Sequence, residues 1–478
     1  MHTVTHCGRF GRRSARAPGR IEKEAAPLSV REFVEQNADR YIGWLTEACS
    51  IPSLAGETDG LTRMAGWLED KFGSIGADVR RLPFEAAPDA LLADTGAGER
   101  TVLIYDHYDV QPVDPIELWE SHPFSPEIRD GIFYARGAAD NKGDLVARLA
   151  GLEVYRELFG ELPVRVKFLI EGEEETGSPS FEGLISRYGD NFAADGCIWE
   201  GKGIDHVGRP ELVLGAKGLA YVELVYKGLA DDQHSSVAVI APSPVWHLVE
   251  ALMTLRDPRG KVLIDGFYDD VVEPSKKDLE LLATIPFEEE AERNRLGVEE
   301  FVDGATGFEL IRRMYFEPTC NIAGIVAGFT VPGASKTVLP KEAMAKLDMR
   351  LVPDQDPNDI VSKLRKHLDS RGFADIEINY FSMGHPVRSP GDSLIGRAAI
   401  AASREVFSVP ASIAPMMIGT GPMYPVARTL GIPVVSPAGV CRPESNIHAP
   451  NENVRVEDFL DIVEYTVAWI KAFAELDA

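Results

Sequence analysis

The chain has 478 residues, with 49 Lys plus Arg against 75 Asp plus Glu, for a formal net charge of −26. This length allows two or three domains and a core that needs no disulfide staples. The acidic balance argues against a nucleic-acid partner, and no window of about 18 apolar residues offers a membrane span.

Within residues 1–27, the first 23 carry Arg9, Arg12, Arg13, Arg16, Arg20 and Lys23 against Glu22, with no apolar run behind them. They read as a disordered basic tail, not a secretory signal. Leu61, Met64, Trp67, Leu68 and Phe72 then make a helical stripe over 57–74. Val102 to Ile104 is a short apolar strand running into Asp106-His107-Tyr108-Asp109. A helix is expected from Asn141 to Phe159, with Leu145, Leu149, Leu152 and Tyr155 on one face. Val164 to Ile170 is a second buried strand, running into Glu171-Gly172-Glu173-Glu174-Glu175. This alternation reads as an α/β sheet with helices on both faces, whose ligands gather beyond the carboxyl ends of the strands.

The middle of the chain changes character. Strands are expected at Leu219–Tyr226, Asn321–Phe329, Ala343–Leu351 and Ile376–Phe381, with helices at Ser243–Leu255 and Asp359–Arg371. The order β-α-β-β-α-β is ferredoxin-like. A polar insertion over 258–317 interrupts it and reads as a surface excursion. The α/β pattern resumes after His385, with helices at 393–406 and 456–475 and a strand at Pro433–Ser436. The expected division is a catalytic domain over 28–216 and 385–478, interrupted by a second domain over 217–384.

The chemistry-bearing groups are His107, Asp109, Asp140, Glu174, Glu175, Glu200 and His448. Each alone reads as an ordinary loop residue, and acidic runs are usually solvated. Their shared position after apolar strands changes that. Two imidazoles and several carboxylates suit a pair of divalent ions, and nitrogen and oxygen donors without thiolate suit zinc, manganese or cobalt. The five cysteines, Cys7, Cys49, Cys197, Cys320 and Cys441, are scattered and never form C-x-x-C. They point to a reducing cytoplasm and to no thiolate site.

Four motifs in order resemble the M20 metallopeptidases and amidohydrolases. They are His107-Tyr108-Asp109-Val110-Gln111-Pro112, Ala135-Arg136-Gly137-Ala138-Ala139-Asp140-Asn141-Lys142-Gly143, Glu171 to Ser178, and His448-Ala449-Pro450-Asn451-Glu452. The resemblance runs from about residue 30 to the end. It implies a two-metal catalytic domain interrupted by a ferredoxin-like lid that also makes a homodimer. It implies two divalent ions per subunit, zinc first, with manganese or cobalt as alternatives. Asp140 would bridge the ions, with a cis bond to Asn141. His107 and Glu200 would complete one site, with Asp195 as the runner-up to Glu200. Glu175 and His448 would complete the other site. Glu174 would be the general base for a metal-bridged water, and Asp109 would orient His107.

The same resemblance assigns His234 to oxyanion stabilisation, reaching into the partner subunit; by itself it reads as a solvated loop histidine. Arg350 would grip a substrate carboxylate, against the alternative of pairing with Asp354 or Asp356. Asn321 and the loop Gly419-Thr420-Gly421 would contact substrate. His122, His206, His247 and His385 have no motif support. The activity implied is hydrolysis of an amide bond in a small peptide such as a dipeptide. The alternatives are an N-acyl-amino-acid deacylase, with its N-acyl amino acid substrate, and an inactive binding protein on the same scaffold. No G-x-S-x-G nucleophile elbow is present.

Overall fold

A computed structural model describes residues 1–3 and 28–477. Beyond its first three residues the expected basic tail lies outside the described residues, as does Cys7. The first part of the chain forms helices α1 (Ala38–Cys49) and α2 (Thr58–Ser74). Strands β1 (Asp78–Leu82), β2 (Ala90–Thr95) and β3 (Thr101–His107) follow, then helix α3 (Lys142–Phe159) and strands β4 (Arg165–Glu171) and β5 (Gly196–Ile198). The middle gives β6 (Gly218–Lys227) and α4 (Pro244–Met253). Three short helices come next: α5 (Lys276–Leu282), α6 (Glu289–Leu296) and α7 (Phe308–Phe316). Then come β7 (Asn321–Ala327), β8 (Glu342–Leu351), α8 (Pro357–Ser370) and β9 (Glu377–Gly384). The last part holds α9 (Leu394–Val406), β10 (Val434–Val435) and α10 (Val456–Glu475).

The larger sheet has the strand order β1-β2-β4-β3-β5-β10. Strands β4, β3, β5 and β10 run parallel, and β1 and β2 add antiparallel strands at one edge. Val102 and Ile104 face one apolar core while Leu103 and Tyr105 face another. That two-residue alternation, with both faces covered, explains why the strand reads as an unbroken apolar run. Helix α3 differs from the one-faced stripe expected of it. Every residue from Lys142 to Tyr155 is buried, because the helix lies between other elements, including α10. Their approach needs Gly151, where an added Cβ would meet the Thr466 side chain at 2.5 Å.

The smaller sheet has the order β7-β8-β6-β9, all antiparallel. Helices α4 and α8 cover one face over a separate apolar core. The pattern expected over 219–381 is therefore present, with α8 starting at Pro357 because Asp356 caps it. The chain crosses between the two sheets at Gly215–Ala216 and Val387–Arg388, which pair with each other.

The insertion is not the surface excursion expected. Leu281 joins the main core, and Leu282, Ile311 and Phe316 pack with Met416. Asp278 lies 3.2 Å from Arg388, whose guanidinium sits over Phe316. Residues 276–317 thus leave the smaller sheet and anchor beside the larger one. Among the described residues no helix is long and apolar enough to cross a membrane.

Candidate metal centre

The parallel strands end side by side. His107, the last residue of β3, stands in register with Glu171, the last of β4. Glu174, Glu175 and Glu200 lie a few residues beyond their strands, on the same edge. His107 is fully buried, with Nδ1 3.1 Å from the Asp109 carbonyl and 3.3 Å from its carboxylate. With Nδ1 toward Asp109, Nε2 faces Asp140 Oδ1 at 3.0 Å. The Asp109 carboxylate also accepts the backbone N–H groups of Glu174 (3.2 Å) and Glu175 (3.0 Å). One side chain thereby fixes both the imidazole and the acidic loop.

Asp140 is shared. Its Oδ1 faces His107 and its Oδ2 faces His448 Nε2 at 3.0 Å. Burial alone would raise its pKa, but hydrogen bonds from the two imidazoles hold it well below the usual carboxylate range. The Asp140–Asn141 bond is cis, as the resemblance implied. His448 Nε2 also lies 3.1 Å from Glu175 Oε2. Its hydrogen bonds to Asp140 and Glu175 lift the imidazole to about 10. Gln111 donates to Glu175 Oε2 at 2.9 Å and to its carbonyl at 3.2 Å.

Two groups of donors result: His107, Asp140 and Glu200, then Asp140, Glu175 and His448. Within each group the ligand atoms lie within 4.8 Å of one another. Glu200 Oε1 is buried without a hydrogen-bond partner. Burial pushes the Glu200 pKa well up, against the pull of His107. A buried carboxylate oxygen lacking a donor, among imidazoles and other carboxylates, fits a divalent cation. Glu174 belongs to neither group, and burial raises its pKa too. Asp195 is at the opposite end of β3, where it accepts the Thr101 N–H at 2.8 Å; the strand carries it away from the cluster.

The remaining expected contacts divide. Arg350 Nη1 donates to Thr420 Oγ1 at 2.9 Å, joining β8 to the Gly419–Gly421 loop. Its ionic neighbour is Asp348, 3.4 Å away, in place of Asp354 or Asp356. Asn321 opens β7 opposite Asp348. His234 is exposed, and its ring bonds within its own neighbourhood to Ser236 (2.9 Å) and Thr337 (3.1 Å). Of the unassigned histidines, His247 pairs with Asp375 and His385 stacks on Tyr424.

Sequence reasoning missed the supports beneath the donors. Arg148 Nη1 donates to Asp106 Oδ1 at 2.6 Å, and Asn141 Nδ2 reaches the same oxygen at 3.0 Å. Asp144 accepts the N–H groups of Gly201 and Val440, and burial raises its carboxyl to about 6. An Asp inside an apolar strand and charges inside an apolar helix were the available signal.

The chain that carries this cluster has known relatives. Residues 103–472 match the description "Peptidase family M20/M25/M40". The chain belongs to that family. It is a metal-dependent hydrolase of the peptidase class. It is 28% identical over 485 residues to the Beta-Ala-His dipeptidase of Homo sapiens, covering 94% of this chain and 92% of that protein. To the Cys-Gly metallodipeptidase of Candida albicans it is 27% identical, covering 92% of this chain and 96% of the other. Among solved structures, an M20 family metallo-carboxypeptidase from Sulfolobus solfataricus superposes with a TM-score of 0.83. It shares 38% identity and covers 92% of this M20 chain and all of its own, 100%.

Proposed function

We propose that this M20 chain hydrolyses dipeptides with two divalent ions held at its strand ends. One observation carries the reading: Asp140 meets a histidine of each donor group through a different oxygen, at 3.0 Å on both sides. We assign His107 and Glu200 to one ion, Glu175 and His448 to the other, and Asp140 to both. Zinc suits these donors best, and manganese and cobalt accept them. When bound, two such ions would acidify an attacking water and polarise the amide carbonyl.

Glu174 takes the proton from that water and delivers it to the departing amine. Its place outside both donor groups supports this, because a base must be free of the ions. Asp109 keeps His107 in the tautomer that points Nε2 inward. Arg350 and Thr420, already hydrogen-bonded, receive the substrate carboxylate, with Asn321, Gly419 and Gly421 around them. His234 serves the oxyanion of a partner subunit in a homodimer, which its exposed position supports.

Residues 28–216 and 385–478 act as the catalytic domain and 217–384 as lid and dimerisation domain. The free thiols of Cys49, Cys197, Cys320 and Cys441 support a reducing, cytoplasmic setting. The relatives named as dipeptidases support the choice of substrate. The test is amino-acid release from free dipeptides and from matched N-acyl amino acids, with manganese or zinc and a chelator control. Free dipeptides should be cleaved preferentially, and the chelator should abolish turnover. Preference for the acylated series would move the chain to the deacylases. No turnover with ions bound would sink the enzymatic reading.

A further inference from the structure

Glu452 is buried four residues beyond His448, and its carboxylate accepts four hydrogen bonds. Oε2 accepts Arg136 Nη1 at 2.6 Å and the Gly137 N–H at 3.0 Å. Oε1 accepts the Ala139 N–H at 2.8 Å and the Asp140 N–H at 3.1 Å. The loop from Arg136 to Asp140 is therefore wrapped around one carboxylate. The backbone continues the link: the Ala135 N–H donates to the Glu452 carbonyl, and Asn453–Arg455 pairs with Ile132–Tyr134. Gly137 makes the wrap possible, at φ 83°, where a Cβ would meet Val110 Cγ1 at 2.7 Å.

We propose that Glu452 is the positioning residue that presents Asp140 to both metal positions. Asp140 is gripped at its backbone by Glu452 and faces His448 through its side chain. One short segment, 448–452, thus supplies a donor to one ion and the anchor for the donor shared by both. A carboxylate is required because four donors converge from two sides. A glutamine would turn an NH₂ toward two of them. The inference rests on the two-metal reading above, and it requires that loss of the anchor weaken both ions together.

The first test is Glu452→Gln, compared with wild type by titration of Mn²⁺ and Zn²⁺ against a chelating dye. Both affinities should fall, by about 10–100-fold, the range for partners that orient metal ligands. The apoprotein should keep its far-UV circular dichroism. Unchanged affinities, or weakening of one ion alone, would overturn the proposal.

The second test needs no variant. In the chelator-treated wild-type protein, the amides of Gly137, Ala139 and Asp140 should exchange as slowly as those of Asn453–Arg455. Fast exchange that slows only when Mn²⁺ is added would show that the ion, not Glu452, orders the loop, and would also overturn the proposal. A wild-type protein that binds neither ion would refute the two-metal reading itself, a failure distinct from fast exchange in a metal-binding chain.

Discussion

Four carboxylates between 171 and 175 meet four environments, and their surroundings separate their roles. Glu173 accepts the Ser180 N–H at 2.7 Å and holds the turn. Glu175 is gripped by Gln111 and lies beside His448. Glu174 stands outside both donor groups, which is what the assigned base requires. Glu174→Gln should leave both ions bound by metal analysis while kcat falls by about 10²–10⁴-fold. Near-normal turnover would remove Glu174 from that role.

Glu171 is the fully buried member. Burial raises its carboxyl to about 8, against hydrogen bonds from Tyr105 (2.5 Å) and Ser178 (2.9 Å). Its ordinary value is 4.5, so the folded chain keeps a proton that the unfolded chain releases. Its contribution to stability is complete below the unfolded value and is lost as pH rises through the folded one. Urea unfolding of chelator-treated protein should therefore show stability declining from about pH 5 to about pH 8. Glu171→Gln, uncharged throughout, should decline less. Equal slopes would mean that another group titrates.

At the scale of elements, the strand ends were legible and the insertion was not, for one physical reason. Apolar runs ending in His107, in Glu171 to Glu175 and before Glu200 state both the element and the edge where its chemistry lies. Arg148, Asp144 and Lys142 on α3 carry no such statement. A charge on a helix normally marks its solvent face, but here Lys142 Nζ reaches the Ala48 and Ile51 carbonyls at the end of α1. The insertion misleads in the same way. Helix α6 buries nothing, and α5 buries only Asp278, Leu281 and Leu282, so its sequence reads as surface. What anchors it is distant: Met416 and Arg388, more than 70 residues downstream. This strap bridges the two sheets beside the paired crossing strands and should restrain their relative rotation. Leu282→Ala should lower unfolding free energy by about 2–5 kcal/mol, the range for truncating a packed leucine. It should also speed amide exchange at Gly215–Lys217. A stability loss confined to a few tenths of a kcal/mol would mean the anchor carries no load.

For the whole molecule, the smaller sheet ends on β7, whose Ile322, Ile325 and Val326 are 43%, 49% and 59% exposed. An edge strand with apolar side chains and unpaired backbone groups invites a partner. The proposed occupant is a second copy of the chain, and the role proposed for His234 would make catalysis depend on it. In an isolated chain its ring is engaged by Ser236 and Thr337. His234→Ala and Glu174→Gln should each be nearly inactive as homodimers. In a mixed dimer, the subunit that keeps Glu174 receives an intact His234 from its partner, so one of the two sites is whole. Random exchange in an equal mixture gives half mixed dimers, and activity should recover to about a quarter of wild type. An Ile325→Arg change on the same edge should yield monomers by light scattering and lower turnover with metal content retained. Mixed dimers, verified by mass, that stay inactive would place the whole reaction within one chain and leave His234 without a catalytic part.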